Sequence, residues 1–162
     1  MLSMAKVQHF AFRKEYHDLS LRLTTEVEIS DISARKVNKV MALWDTGATL
    51  SAITPVIARN LNLVYINRIK VNGVNSLSMA DVAKISIKLP NQVTLQEINV
   101  AVCNLVEGVD MLIGMDIMKL GDLCISNGEG KTLFSFAIPP FDDKTDFYEK
   151  AVANNKKNQS CS

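Results

Sequence analysis

The sequence predicts a mainly β domain, and three observations carry that prediction. From Leu21 to about Pro140 the chain is dense in β-branched and aliphatic residues broken by turn punctuation. Several runs alternate apolar and polar residues with the period of two that a half-buried strand requires. The pairs Asn72-Gly73 and Asn127-Gly128 stand between extended runs, where tight hairpin turns favour them.

Leu21–Ile29 (LRLTTEVEI) alternates and reads as the first strand; the polar SDISARKVN that follows is a connection. Lys39–Trp44 is a second strand, apolar on both faces and hence interior. Ile53-Thr54-Pro55 starts a short helix, with Thr54 as cap and Pro55 at the first helical position. In its body, PVIARNL, Val56, Leu61 and Leu63 are expected to face inward. A hairpin is expected across Arg68–Asn75 (RIKVNGVN). Val82–Leu89 alternates and stops at Pro90-Asn91, and Val93–Val102 alternates again. Met111–Leu120 (MLIGMDIMKL) begins as a strand and becomes a short helix after Gly114, ending at Gly121. Leu123–Ser126 and Thr132–Ala137 flank SNGEGK as a further hairpin. After Phe141 the composition turns polar, which predicts a helical turn or two and then a frayed end. The chain therefore divides into an N-terminal arm at 1–20, one domain at 21–140 and a polar, flexible tail at 141–162.

A length of 162 residues suits one domain, and 48% apolar with 22% charged residues is the balance of an ordinary soluble globular chain. The net charge of +1 and scattered lysines leave no basic footprint for nucleic acid and no field for an anionic membrane. Cys103, Cys124 and Cys161 are an odd number without CxxC spacing, and His9 and His17 lie far from them, so no metal or other cofactor is expected. Cys103 and Cys124 sit in apolar runs and read as buried small hydrophobes, and Met111, Met115 and Met118 as core filler. The opening MLSMAKVQHFAFRKEY has no apolar core of signal-peptide length, and no later run reaches transmembrane length. A reducing, cytoplasmic setting is the expectation.

One stretch is chemically out of place. In VMALWDTGATL an apolar strand runs straight into the carboxylate of Asp45, then Thr46 and Gly47, then apolar residues again. An ionised Asp is costly there unless it is paired, hydrogen-bonded or protonated. Gly47 suggests a backbone conformation closed to other residues and a sharp turn after the acid. The hydroxyl of Thr46 can brace that turn. Hydrolysis of an amide by water needs both a base and an acid, and two aspartates sharing one proton meet both needs. No other Asp of the chain is followed by Thr-Gly or Ser-Gly. If the chain is catalytic, twofold symmetry must bring Asp45 to its own copy in a homodimer.

LWDTGAT, then a flap-like hairpin, then DMLIGMDIM resembles the retropepsin-like aspartic proteases of retroviruses, retrotransposons and their cellular and bacterial relatives, over roughly Leu21 to Pro140. The resemblance implies a single-lobe acid-protease β-barrel with one or two short helices, working as a symmetric homodimer on polypeptide substrates without a cofactor. It further implies that Asp45 is the catalytic acid and base, and that Thr46 locks the two active-site loops across the axis. Gly47 would offer backbone groups near the dyad, and Ala48 and Thr49 would line the cleft. Gly73, Val74, Asn75 and Ser76 fall where a flap tip belongs. The flap departs from retroviral ones in holding a single glycine, and Trp44 is bulkier than the aliphatic often found before the acid; it reshapes either a subsite or the interface. Asp116 is either a neighbour of a substrate subsite or a helix-start carboxylate, and Asp81 is either solvated on its strand or in reach of substrate. The alternative to an endopeptidase is a catalytically silent dimerisation or peptide-binding module of the same fold. A remoter reading makes Asp45, Asp110 and Asp116 a metal site.

Overall fold

In the computed structural model, which describes residues 7–72 and 77–160, ten strands and three α-helices follow one another along the chain. They are β1 (Phe10–Glu15), β2 (Thr24–Ser30), β3 (Val37–Trp44), β4 (Ala52–Ile53), α1 (Pro55–Asn60) and β5 (Tyr65–Asn72). Then come β6 (Leu77–Lys88), β7 (Thr94–Val102), β8 (Met111–Ile113), α2 (Met115–Met118), β9 (Asp122–Ser126), β10 (Leu133–Ile138) and α3 (Phe147–Ser160).

The alternation along β2 and β3 becomes an antiparallel ladder from Thr24 opposite Leu43 to Ser30 opposite Val37. Val27, Ile29, Val40 and Ala42 turn inward and are buried. Glu26 and Lys39 turn to water and pair at 3.4 Å, an exposed contact worth little to stability. The sheet continues β2-β3-β8-β4-β7-β6, and β6 returns to β2 through Glu28 opposite Lys88 and Ser30 opposite Ser86. These six strands close a barrel, which leaves no unpaired edge around its wall. β5 lies beyond the ring, paired with β6 from Tyr65–Ala83 to Asn72–Leu77. These two strands are the arms of the expected hairpin; its tip, residues 73–76, lies outside the described residues.

A second sheet, β1-β10-β9, packs against the barrel. One face of it carries Phe12, Phe134 and Phe136, which surround Trp44 at ring-centroid distances of 5.9, 5.1 and 4.9 Å. The indole Nε1–H of Trp44 donates to Thr25 Oγ1 at 2.9 Å, so its one polar atom is satisfied in the core. Trp44 is thus a core residue that ties the two sheets together, not a subsite or interface position.

Several expectations need correction. β2 begins at Thr24, and Leu21 stands fully exposed. Around α1, Leu61 is buried and Leu63 packs half-buried against the core as expected, but Ile57 and Ala58 are buried too and Val56 is exposed. With Pro55 as the first helical residue, positions 57, 58 and 61 share the inward face, and Val56 falls on the outward one. Met111 and Met118 are buried as expected, but Met115 opens α2 on its outer side and is exposed. Cys124 is exposed on β9, on the face opposite the one Leu123 turns to the core, and Cys103 is half-buried. α3 runs 14 residues, more than the turn or two expected. Among the described residues no helix is long and apolar enough to cross a membrane.

Candidate active site

The placement of Asp45 follows from a parallel pairing. β3 runs beside β8 with Ala42 opposite Met111, Leu43 opposite Leu112 and Trp44 opposite Ile113. One further bond, from the Asp45 N–H to the Ile113 carbonyl at 2.9 Å, carries the acid to the end of this pair. The chain then turns. The Ala48 N–H donates to the Asp45 carbonyl at 3.2 Å, and the Gly47 N–H donates to Asp45 Oδ1 at 2.8 Å. The carboxylate is therefore held by the backbone of its own loop, in the manner of short acidic turns. Asp45 is half-buried; Thr46 and Thr49 are exposed and Ala48 is half-buried.

Gly47 is crowded, and for a different reason from the one its sequence context suggests. Its φ is not in the left-handed region, but a Cβ built on it would stand 3.2 Å from Asp45 Oδ1. Its lack of a side chain leaves room for the carboxylate and for the N–H that binds it.

The loop is anchored at its far end by the Gly114–Asp116 segment. The Met115 N–H donates to the Ala48 carbonyl at 2.8 Å, and the Gly114 N–H donates to Ser51 Oγ at 3.0 Å. The Ser51 hydroxyl in turn donates to Asp116 Oδ1 at 2.8 Å. A Cβ on Gly114 would meet the Ala48 carbonyl oxygen at 2.8 Å and the Leu50 carbonyl carbon at 3.0 Å, so close backbone approach fixes glycine here. Sequence reasoning missed Ser51. Its signal is a small polar residue inside LSAI, an otherwise apolar run where a buried hydroxyl must have partners.

The remaining acids are not gathered at Asp45. Asp110 Oδ2 accepts from the Met41 N–H at 3.4 Å, Asp116 stands in the first turn of α2, and Asp81 pairs with Arg68 Nε at 2.9 Å between β6 and β5. Among the described residues, no three His, Cys, Asp or Glu side chains gather into a group able to hold a metal. Ser51 leads into a small apolar cluster in which Ala52, Ala80 and Ala101 are the buried floor, and Leu50, Ile69 and Leu112 pack against it half-buried. Cys103 packs against the same floor, and burial pushes its thiol above the ordinary range. Gly73, Val74, Asn75 and Ser76, expected to form the tip of the flap, lie outside the described residues.

Comparison with known proteins adds three kinds of finding. The family described as gag-polyprotein putative aspartyl protease matches residues 25–120, more than half of the chain. A retropepsin-like aspartic protease from Rickettsia conorii superposes with a TM-score of 0.53 at 15% identity, covering 83% of this chain and 98% of its own. The EIAV protease complexed with the inhibitor HBY-793 gives 0.46 at 21% identity over 64% of this chain and 90% of its own. The simian foamy virus (mac) protease gives 0.42 at 17% identity, over 58% and 89%. At such identities the Rickettsia likeness speaks for the fold alone, and that fold is retropepsin-like. No curated protein matches the chain.

Proposed function

Because the chain belongs to the gag-polyprotein aspartyl protease family, we propose that it is an aspartic endopeptidase whose active site is completed by a second copy of itself. The observation that carries this reading is the loop-held carboxylate of Asp45, bound to the Gly47 N–H at 2.8 Å at the end of β3. It is the sole acid of the chain in an Asp-Thr-Gly context, on a single lobe.

Two Asp45 carboxylates meeting across a twofold axis share one proton, since two like charges so close cannot both ionise; this is the arrangement that defines aspartic proteases. The ionised member takes a proton from water as the oxygen attacks the peptide carbonyl. The protonated member gives its proton to the carbonyl oxygen, forming a gem-diol intermediate. Collapse breaks the C–N bond: the amine leaves with one proton, the new carboxyl group keeps the water oxygen, and the dyad returns to one shared proton. Thr46, exposed beside the acid, links the two loops. Ala48 and Thr49 border the cleft, and Gly73, Val74, Asn75 and Ser76 take part in binding an extended peptide. In this reading the half-buried Leu50, Ile69 and Leu112 favour an apolar side chain near the scissile bond.

The test is peptide cleavage by the full chain and by Asp45→Asn. The substituted protein is expected to remain folded and dimeric but to lose activity by about a hundredfold or more, and pepstatin is expected to inhibit the parent. Equal rates for the two proteins overturn the assignment. If neither cleaves any member of a broad peptide library from acidic to neutral pH, the fold serves as a silent dimerisation or peptide-binding module.

A further inference from the structure

Ser51 is fully buried, and its hydroxyl has two partners of fixed polarity. The Gly114 N–H can only donate, so Ser51 Oγ accepts it at 3.0 Å; the Asp116 carboxylate can only accept, so Ser51 donates to it at 2.8 Å. The hydroxyl proton therefore has one orientation. α2 has no side-chain cap of its own, since Gly114 occupies its cap position. Two donors at its start are met instead from the acid loop, Gly114 by Ser51 Oγ and Met115 by the Ala48 carbonyl at 2.8 Å. The loop caps the helix, and the helix-start carboxylate orients the residue that does the capping.

From this we infer that Asp116 is a positioning residue for the Asp45 loop, acting through Ser51, and not a group that contacts substrate. The inference rests on the protease reading for its effect on catalysis but on the hydrogen bonds alone for its effect on the loop. Without an acceptor at 116 the Ser51 hydroxyl is free to rotate, and its lone pairs are no longer aimed at the Gly114 N–H. The segment that fixes Ala48, three residues past the acid, then loosens against β8. An amide at 116 presents the same acceptor oxygen, so acceptor chemistry and not negative charge is what the position needs.

Two measurements on the full-length protein decide the matter. In peptide cleavage, Asp116→Ala is expected to lower kcat about 10- to 100-fold with KM within about twofold, because misplacing a reacting group acts on the chemical step. Asp116→Asn is expected to restore most of the rate. In amide hydrogen exchange, Gly114 in Asp116→Ala is expected to exchange at least about tenfold faster than in the parent, while amides of β2 and β6 keep their rates. Unchanged Gly114 exchange in Asp116→Ala overturns the inference, as does Asp116→Asn behaving like Asp116→Ala in both measurements. Should the parent cleave no peptide, the protease reading falls, and Gly114 exchange in the two variants alone upholds or refutes the positioning role.

Discussion

At the scale of single residues, the glycines separate into those demanded by close packing and those that are not. Gly121 follows α2 as the chain enters β9, and a Cβ there would stand 1.9 Å from the Ala137 carbonyl oxygen, a backbone atom that cannot move without breaking the β9–β10 ladder. Gly128, on the turn of the same hairpin, has nothing within 4 Å of such an atom. Gly121→Ala is therefore expected to cost about 3 kcal/mol or more in unfolding free energy, read from urea denaturation. Gly128→Ala should stay within about 0.5 kcal/mol of the parent. Equal effects would show that the approach of Gly121 to β10 is not what limits that position. The difference is not legible in the sequence, where both are merely turn glycines; the neighbour that makes Gly121 necessary lies in another strand. Asp45 was legible because its signal is local: a charge set against an apolar strand. The link between Ser51 and Asp116 is not legible because 65 residues separate the partners of their bond.

At the scale of elements, the sequence shows its long or strongly patterned pieces and hides the short ones. β2, β7 and the β9–β10 hairpin follow from alternation and an Asn-Gly turn, and β3 from its apolar run. β4 is only Ala52–Ile53, too short for any period, and exists because β7 and β8 flank it with parallel and antiparallel partners. β1 has an alternating pattern, Phe10 and Phe12 against Arg13, but reads only as an N-terminal arm until β10 supplies its ladder. α1 was visible through its start, and its cap is present: Thr54 Oγ1 accepts from the Ile57 N–H at 3.5 Å, a long bond. Thr54→Ala is accordingly expected to cost about 0.5–1 kcal/mol, the lower part of the range for cap removal. Thr54→Ser should recover most of it. A loss of several kcal/mol by thermal or chemical unfolding would mean that Thr54 carries packing as well as the cap.

At the scale of the whole molecule, the closed barrel and its aromatic junction with the second sheet fix where the acid emerges, but one chain presents one such acid. With the dyad proposed above, activity belongs to the pair and not to the protomer, a property that mutagenesis of isolated variants cannot reach. Mixing the parent with an equal amount of Asp45→Asn, under conditions where protomers exchange, distributes the parent chains among parent pairs and mixed pairs. A mixed pair has one carboxylate and one amide at the axis, so it lacks the shared proton on which both acid and base roles depend. Random pairing then lowers the parent's activity to about half, and a ninefold excess of the variant lowers it to about a tenth. The same excess of an unrelated protein is expected to change nothing. Dilution should act in the same direction, since dissociation removes sites altogether and the rate per chain falls below the concentration at which the pair holds together. A rate per parent chain that is indifferent to both treatments, with exchange verified by differently labelled protomers, would place the whole chemistry within one lobe.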